Sequence, residues 1–194
     1  MPERLKALVR VRMLAVGRVI AATGLTPNAL TMIGLLLNVG AAGVVGAGWF
    51  VEGGIAFLLA SAFDMFDGAV ARATNTASRY GAFLDSLIDR YNEAVVLIAL
   101  LLVFAQRGDT VLLLGTALAL VGSLLVSYAR ARAEGLGVDC EIGILQRPER
   151  VLLLAAGLLF FPYLLAPAVW GLAIVTNITV VQRALWVRNK LGTS

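Results

Sequence analysis

Ala29-Leu-Thr-Met-Ile-Gly-Leu-Leu-Leu-Asn-Val-Gly-Ala-Ala-Gly-Val-Val-Gly-Ala-Gly-Trp-Phe50 carries no charged side chain. As a helix it is long enough to cross the hydrocarbon layer of a bilayer, which takes about 20 apolar residues. Working outward, Gly53–Phe63, Glu93–Phe104, Val111–Tyr128, Val151–Leu165 and Val169–Val181 are apolar runs that span, or reach spanning length with their flanks. With 60% hydrophobic and 14% charged residues among 194, the chain is expected to be an all-α polytopic membrane protein with six transmembrane helices. Gly34, Gly40, Gly43, Gly46 and Gly48 crowd the first span, and small residues there read as close helix packing.

Charge sets the orientation. Lys and Arg concentrate in the N-terminal arm, the turn with Arg72 and Arg79, the segment from Arg130 to Arg150, and the tail with Arg183, Arg188 and Lys190. The alternate connections, around Trp49–Gly54, Gln106–Thr110 and Pro162–Pro167, hold only Arg107. The positive-inside rule then puts both termini on the cytoplasmic side of the cell membrane. Met1–Gly24 interleaves Arg4, Lys6, Arg10, Arg12 and Arg18 with Leu5, Leu8, Val9, Leu14 and Val16. It reads as an N-terminal amphipathic interfacial helix rather than a signal peptide. One membrane domain covers residues 1–194, with 1–24 as a juxtamembrane helix and 25–190 as a six-helix bundle. Its partners include membrane lipids, and no nucleic-acid partner is expected.

The single Cys140 has no internal disulfide partner, and the absence of histidine removes imidazole as metal ligand or acid–base catalyst. Any metal site is therefore oxygen-rich. Asp64 and Asp67 lie three apart at the cytoplasmic end of the second span, and Asp85 and Asp89 lie four apart at the cytoplasmic start of the third, so each pair shares a helix face. The short Arg72–Tyr80 connection makes the two helices antiparallel neighbours and brings the carboxylates to one depth. Four carboxylates at a lipid boundary need compensation, and divalent Mg²⁺ or Mn²⁺, which shares its coordination with phosphate oxygens, supplies it. The rival reading is a cation path, or ion pairs with Arg72, Arg79 and Arg90. Against a path, the carboxylates cluster at one membrane edge, with only Glu93, Glu52 and Asp109 toward the outer side.

Asp64-Met-Phe-Asp67-Gly68-Ala-Val-Ala71-Arg72, then eight residues, then Gly81-Ala-Phe-Leu-Asp85-Ser-Leu-Ile-Asp89 resembles the full signature of the CDP-alcohol phosphotransferase family, with no position departing. The resemblance implies that Asp64, Asp67, Asp85 and Asp89 hold two metal ions at the pyrophosphate of a CDP-linked lipid, CDP-diacylglycerol or similar. It implies that Asp89 is also the base for the acceptor hydroxyl. Gly68 would let the nucleotide approach closely, and Arg72 would contact pyrophosphate oxygens. Ala71, Gly81 and Ser78 fall at family positions around the nucleotide. Thr26-Pro27-Asn28-Ala29-Leu30-Thr31 is similar to the family segment beside the cytidine, and is also a helix start capped by Thr26. Similar proteins are homodimers.

The signature leaves the acceptor open. Ser127, Arg130 and Arg132 end the fourth span; Arg147 and Arg150, three apart, begin the fifth. Guanidinium groups beside a metal centre suit an acceptor that carries its own phosphate, as inositol phosphate and glycerol phosphate do. The Ser-Tyr-x-Arg-Ala-Arg-Ala-Glu-Gly and Arg-Pro-Glu-Arg segments resemble prokaryotic phosphatidylinositol phosphate synthases and related archaeal enzymes. That favours inositol phosphate, with glycerol phosphate as the alternative.

Overall fold

A computed structural model describes residues 14–192. Residues 14–21 are helical, and seven helices follow: α1 Pro27–Gly46, α2 Phe50–Phe63, α3 Met65–Ala73, α4 Arg79–Arg107, α5 Thr110–Glu134, α6 Arg147–Leu159 and α7 Leu165–Leu191. Local chemistry sets several of their ends. The Thr26 hydroxyl accepts the Ala29 N–H at 3.2 Å, and Pro27 occupies the first turn, where its missing N–H costs nothing. Ser78 caps α4 by accepting the Gly81 N–H at 2.9 Å. Gly108, at φ 68°, closes α4 in the left-handed conformation that glycine adopts without a Cβ clash.

Val45, Phe57, Leu97, Leu100, Leu154, Leu158 and Leu172 are fully buried and join α1, α2, α4, α6 and α7 in one core. The outward faces are also apolar, with Leu36, Leu59, Leu102, Val111, Leu152 and Ile174 exposed. Helices greasy on both faces are solvated by lipid. Among the described residues four helices are long and apolar enough to cross a membrane: Pro27–Gly46, Phe50–Ala73, Thr110–Glu134 and Leu165–Leu191. The protein is thus an all-α polytopic membrane protein.

The expected six spans differ from this in two places. The third lies within α4, whose 29 residues make it about 43 Å long, but its first half carries Asp85, Asp89, Arg90 and Glu93. The fifth was expected over Val151–Leu165, yet α6 stops at Leu159 after 13 residues, about 20 Å, and residues 160–164 form a turn. The second span is continuous in direction but its helix is interrupted at Asp64, between α2 and α3.

The helices expected to be antiparallel neighbours, α2–α3 and α4, have little direct contact; α1 packs against both and stands as their common wall. Of the expected amphipathic helix, residues 1–13 lie outside the described residues. Its last part packs on α3 at Gly17, where a Cβ would come within 2.5 Å of the Ala69 carbonyl oxygen and 3.1 Å of the Ala73 Cβ.

Candidate active site

Asp64 sits at the helix interruption, buried against α1. Gly34 makes that approach possible, because a Cβ there would overlap Asp64 Oδ1. Asp64 Oδ2 accepts the Asn92 side-chain amide of α4 at 2.7 Å and Arg147 Nη2 of α6 at 3.1 Å. One turn on, Asp67 is buried in α3 and its Oδ2 accepts the Thr31 hydroxyl at 2.6 Å. α1 therefore holds both carboxylates of the first pair, one through a missing side chain and one through a hydroxyl.

On α4, Asp89 is 17% exposed and its Oδ1 lies 2.9 Å from Arg147 Nη2. One guanidinium nitrogen thus bridges Asp64 and Asp89, offsetting two carboxylates that would otherwise repel. The pairing arginine is Arg147, at the first turn of α6, rather than Arg72, Arg79 or Arg90. The Arg90 guanidinium instead turns back onto Ser86 of its own helix.

Beside these carboxylates a cleft of about 420 Å³ opens between the start of α1, α3 and the start of α4. Pro27, Asn28, Thr31, Asp67, Gly68, Ala71, Arg72, Ser78, Gly81 and Asp85 line it, together with Thr26, Thr76, Ala77 and Ala82. Arg72 is exposed, and a Cβ at Gly68 would stand 3.1 Å from its guanidinium, so the glycine gives that group its room. Two residues expected at the nucleotide are not in the cleft lining: Leu30 is 2% exposed and faces the bundle, and Ala29 contributes its N–H to the Thr26 cap. Both lie within the first turns of α1, where Pro27, Asn28 and Thr31 face the cleft and Leu30 turns into the bundle.

The residues expected at the acceptor separate. Arg147 reaches the carboxylates as described. Arg150, expected to bind phosphate, is buried at 3% exposure and spent on Glu93. Arg130 pairs with Glu134 at 2.8 Å and Glu141 at 3.2 Å on the surface. Arg132 is exposed, and Ser127 Oγ donates to the Ser123 carbonyl at 3.3 Å. Gly34, Asn92 and Glu93 belong to the site's surroundings but were not singled out for it. The legible signal was polarity: an amide and a carboxylate in an apolar helix are unusual enough to mark a function.

Among the described residues, no three acidic, histidine or cysteine side chains already converge on one metal position. The donor set nevertheless fits a hard divalent cation. All of its atoms are carboxylate oxygens, and Asp64 Oδ1 is buried without a hydrogen-bond partner among the described residues, a condition that a cation relieves.

Comparison with known proteins identifies the family. The chain is 36% identical over 176 residues to the phosphatidylinositol phosphate synthase of Mycobacteroides abscessus, covering 87% of this chain and 80% of that one. It is 35% identical over 192 residues to the archaetidylinositol phosphate synthase of Pyrococcus horikoshii, covering 98% of each. The crystal structure of Mycobacterium tuberculosis phosphatidylinositol phosphate synthase with CDP-DAG bound superposes with a TM-score of 0.85 at 32% identity, over 91% of this chain and 93% of that one. The same enzyme in complex with manganese and citrate gives 0.85 at 33% identity, over 90% and 88%. The sequence model of the CDP-alcohol phosphatidyltransferase family matches residues 24–182, and the chain belongs to that family.

Proposed function

We propose that this membrane enzyme transfers the phosphatidyl-type group of a CDP-linked lipid such as CDP-diacylglycerol to inositol phosphate, releasing CMP. The observation that carries the reading is one juxtaposition. A cleft lined by Asp67, Asp85, Gly68 and Arg72 opens beside Asp64 and Asp89, and Arg147 holds those two from another helix. The first half suits a nucleotide pyrophosphate, the second a phosphorylated acceptor. Relatives named as synthases of phosphatidylinositol phosphate and archaetidylinositol phosphate, and a structure of one such synthase with CDP-DAG bound, support both halves.

Asp64, Asp67, Asp85 and Asp89 would hold two Mg²⁺ or Mn²⁺ ions, which when bound neutralise pyrophosphate charge and stabilise the departing CMP. Arg72 would grip the pyrophosphate with its forked donors. Pro27, Asn28, Thr31, Ala71, Ser78 and Gly81 would shape the nucleotide end. With its Oδ1 held by Arg147, Asp89 would take the acceptor proton on Oδ2. Arg147 would receive the acceptor phosphate; Arg130 would join it only by leaving Glu134 and Glu141, and Arg132 and Ser127 only on binding of the acceptor.

The same reading gives a single domain of six spans, α4 and the short α6 supplying the two beyond the four apolar helices, in the cell membrane with both termini and the site cytoplasmic. The enzyme would work as a homodimer. The test is CMP release by purified protein given CDP-diacylglycerol and Mg²⁺ or Mn²⁺, with inositol phosphate, glycerol phosphate or free inositol as acceptor. Release with inositol phosphate is expected; release with glycerol phosphate alone would overturn the acceptor, and release with none would overturn the function.

A further inference from the structure

α6 brings Arg147 to the carboxylates, but α6 packs on α2 and α7 and has no substantial backbone contact with α4. Besides the apolar core that both helices share, what joins it to α4 is a ladder of two arginine side chains. Asp89 and Glu93, four apart, share a face of α4; Arg147 and Arg150, three apart, share a face of α6. The lower rung is Arg147 on Asp89 at 2.9 Å. The upper rung is Arg150 on Glu93, in which Nε lies 2.9 Å from Oε1 and Nη2 lies 2.8 Å from Oε2, a forked pair with both residues 4% exposed or less.

The rungs differ in kind. Arg147 is 30% exposed, and its Nε is buried without a hydrogen-bond partner among the described residues, so its contacts there fix it incompletely. The upper rung is dry and two-pronged, and so is the better anchor. A buried ion pair is weak evidence for stability, since packed apolar side chains would serve as well. A role in registration accounts for it better. We propose that Glu93 and Arg150 are positioning residues that hold α6 in register with α4 and so aim Arg147 at Asp64, Asp89 and the acceptor phosphate. This rests on the function proposed above for Arg147.

A double-mutant cycle with Glu93→Gln and Arg147→Gln tests the idea. Glu93→Gln keeps the side-chain shape and removes the charge. The KM for the phosphorylated acceptor is expected to rise about tenfold or more in Glu93→Gln, with the KM for CDP-diacylglycerol within about twofold of wild type. In an Arg147→Gln background the added effect of Glu93→Gln should disappear, because Glu93 acts through Arg147. Equal losses in both backgrounds, or equal rises in both KM values, would overturn the proposal and leave a structural ion pair only.

A second readout needs no turnover. Mn²⁺ affinity of the detergent-solubilised protein, read by electron paramagnetic resonance without substrates, should tighten by the same factor in Glu93→Gln, in Arg147→Gln and in the double variant, because each releases the guanidinium from Asp64 and Asp89. Tightening in Arg147→Gln but not in Glu93→Gln would overturn the coupling even if the wild-type protein shows no transfer to any acceptor. Wild-type inactivity would by itself speak only against the proposed function.

Discussion

Gly34→Ala adds one carbon at the most crowded point of the site. The new Cβ would overlap Asp64 Oδ1, stand 3.4 Å from Asp64 Cγ and 3.9 Å from the Phe63 ring. Helix backbone lies behind it, so the carboxylate must retreat by about 1 Å to recover an ordinary non-bonded separation. Its Oδ2 would then leave Asn92 at 2.7 Å and Arg147 at 3.1 Å, contacts too short to stretch by that amount and remain hydrogen bonds. A misplacement of about 1 Å costs on the order of a hundredfold in rate, or about 2.7 kcal/mol of barrier. Stability should suffer less. Overpacking costs about 1–3 kcal/mol, and alanine's better helix propensity offsets about 1 kcal/mol of it. The assay is CMP release by purified protein beside a thermal melt, with Gly43→Ala as control, since a Cβ there meets nothing within 4 Å. A Gly34→Ala enzyme within about threefold of wild type would refute the claim that this glycine exists to admit Asp64.

Three further outcomes follow from the same geometry. Asp89→Asn should lower turnover by about 10²–10⁴-fold, the range for losing a general base, with a smaller fall in melting temperature from weakening the Arg147 contact; retained turnover would remove Asp89 from that role. Thr31→Val deletes the 2.6 Å hydrogen bond to Asp67 at nearly constant volume, and should cost about 1.5–3 kcal/mol in stability or in rate, which paired melts and CMP assays would apportion. Chelation by EDTA should abolish transfer and lower the melting temperature, with recovery on adding Mn²⁺ or Mg²⁺; at a hundred times Kd, metal binding stabilises by about 2.7 kcal/mol.

The bilayer and the carboxylates were legible for one reason, periodicity. Runs of the length of Ala29–Phe50 admit one solvent, and spacings of three and four leave little doubt about which helix face a pair occupies. What periodicity cannot report is which neighbour a face meets. Arg147 and Arg150 share a face and a residue type, yet one reaches two aspartates and the other is sealed against Glu93; only the tertiary partner separates them. Gly34 was hidden in the same way. Five glycines in one stretch read as packing, and a Cβ at Gly40 or Gly43 meets nothing while one at Gly34 meets the site. The short α6 escaped because hydropathy ran on through the turn at residues 160–164 into α7.

Those illegible features have a common physical origin. The two carboxylate pairs sit on helical segments with little direct backbone contact, so apart from the Asn92–Asp64 hydrogen bond their spacing is set by intermediaries: α1 through Gly34 and Thr31, and α6 through Arg147. Direct helix packing would have filled the space between the pairs with side chains. Holding the segments apart on a common wall leaves the cleft of about 420 Å³ open, and leaves the charge between Asp64 and Asp89 to be balanced by an arginine side chain rather than by backbone. An enzyme that must admit both a nucleotide and a second anion needs that arrangement, since a guanidinium can turn from one anionic partner to another while a packed helix face cannot.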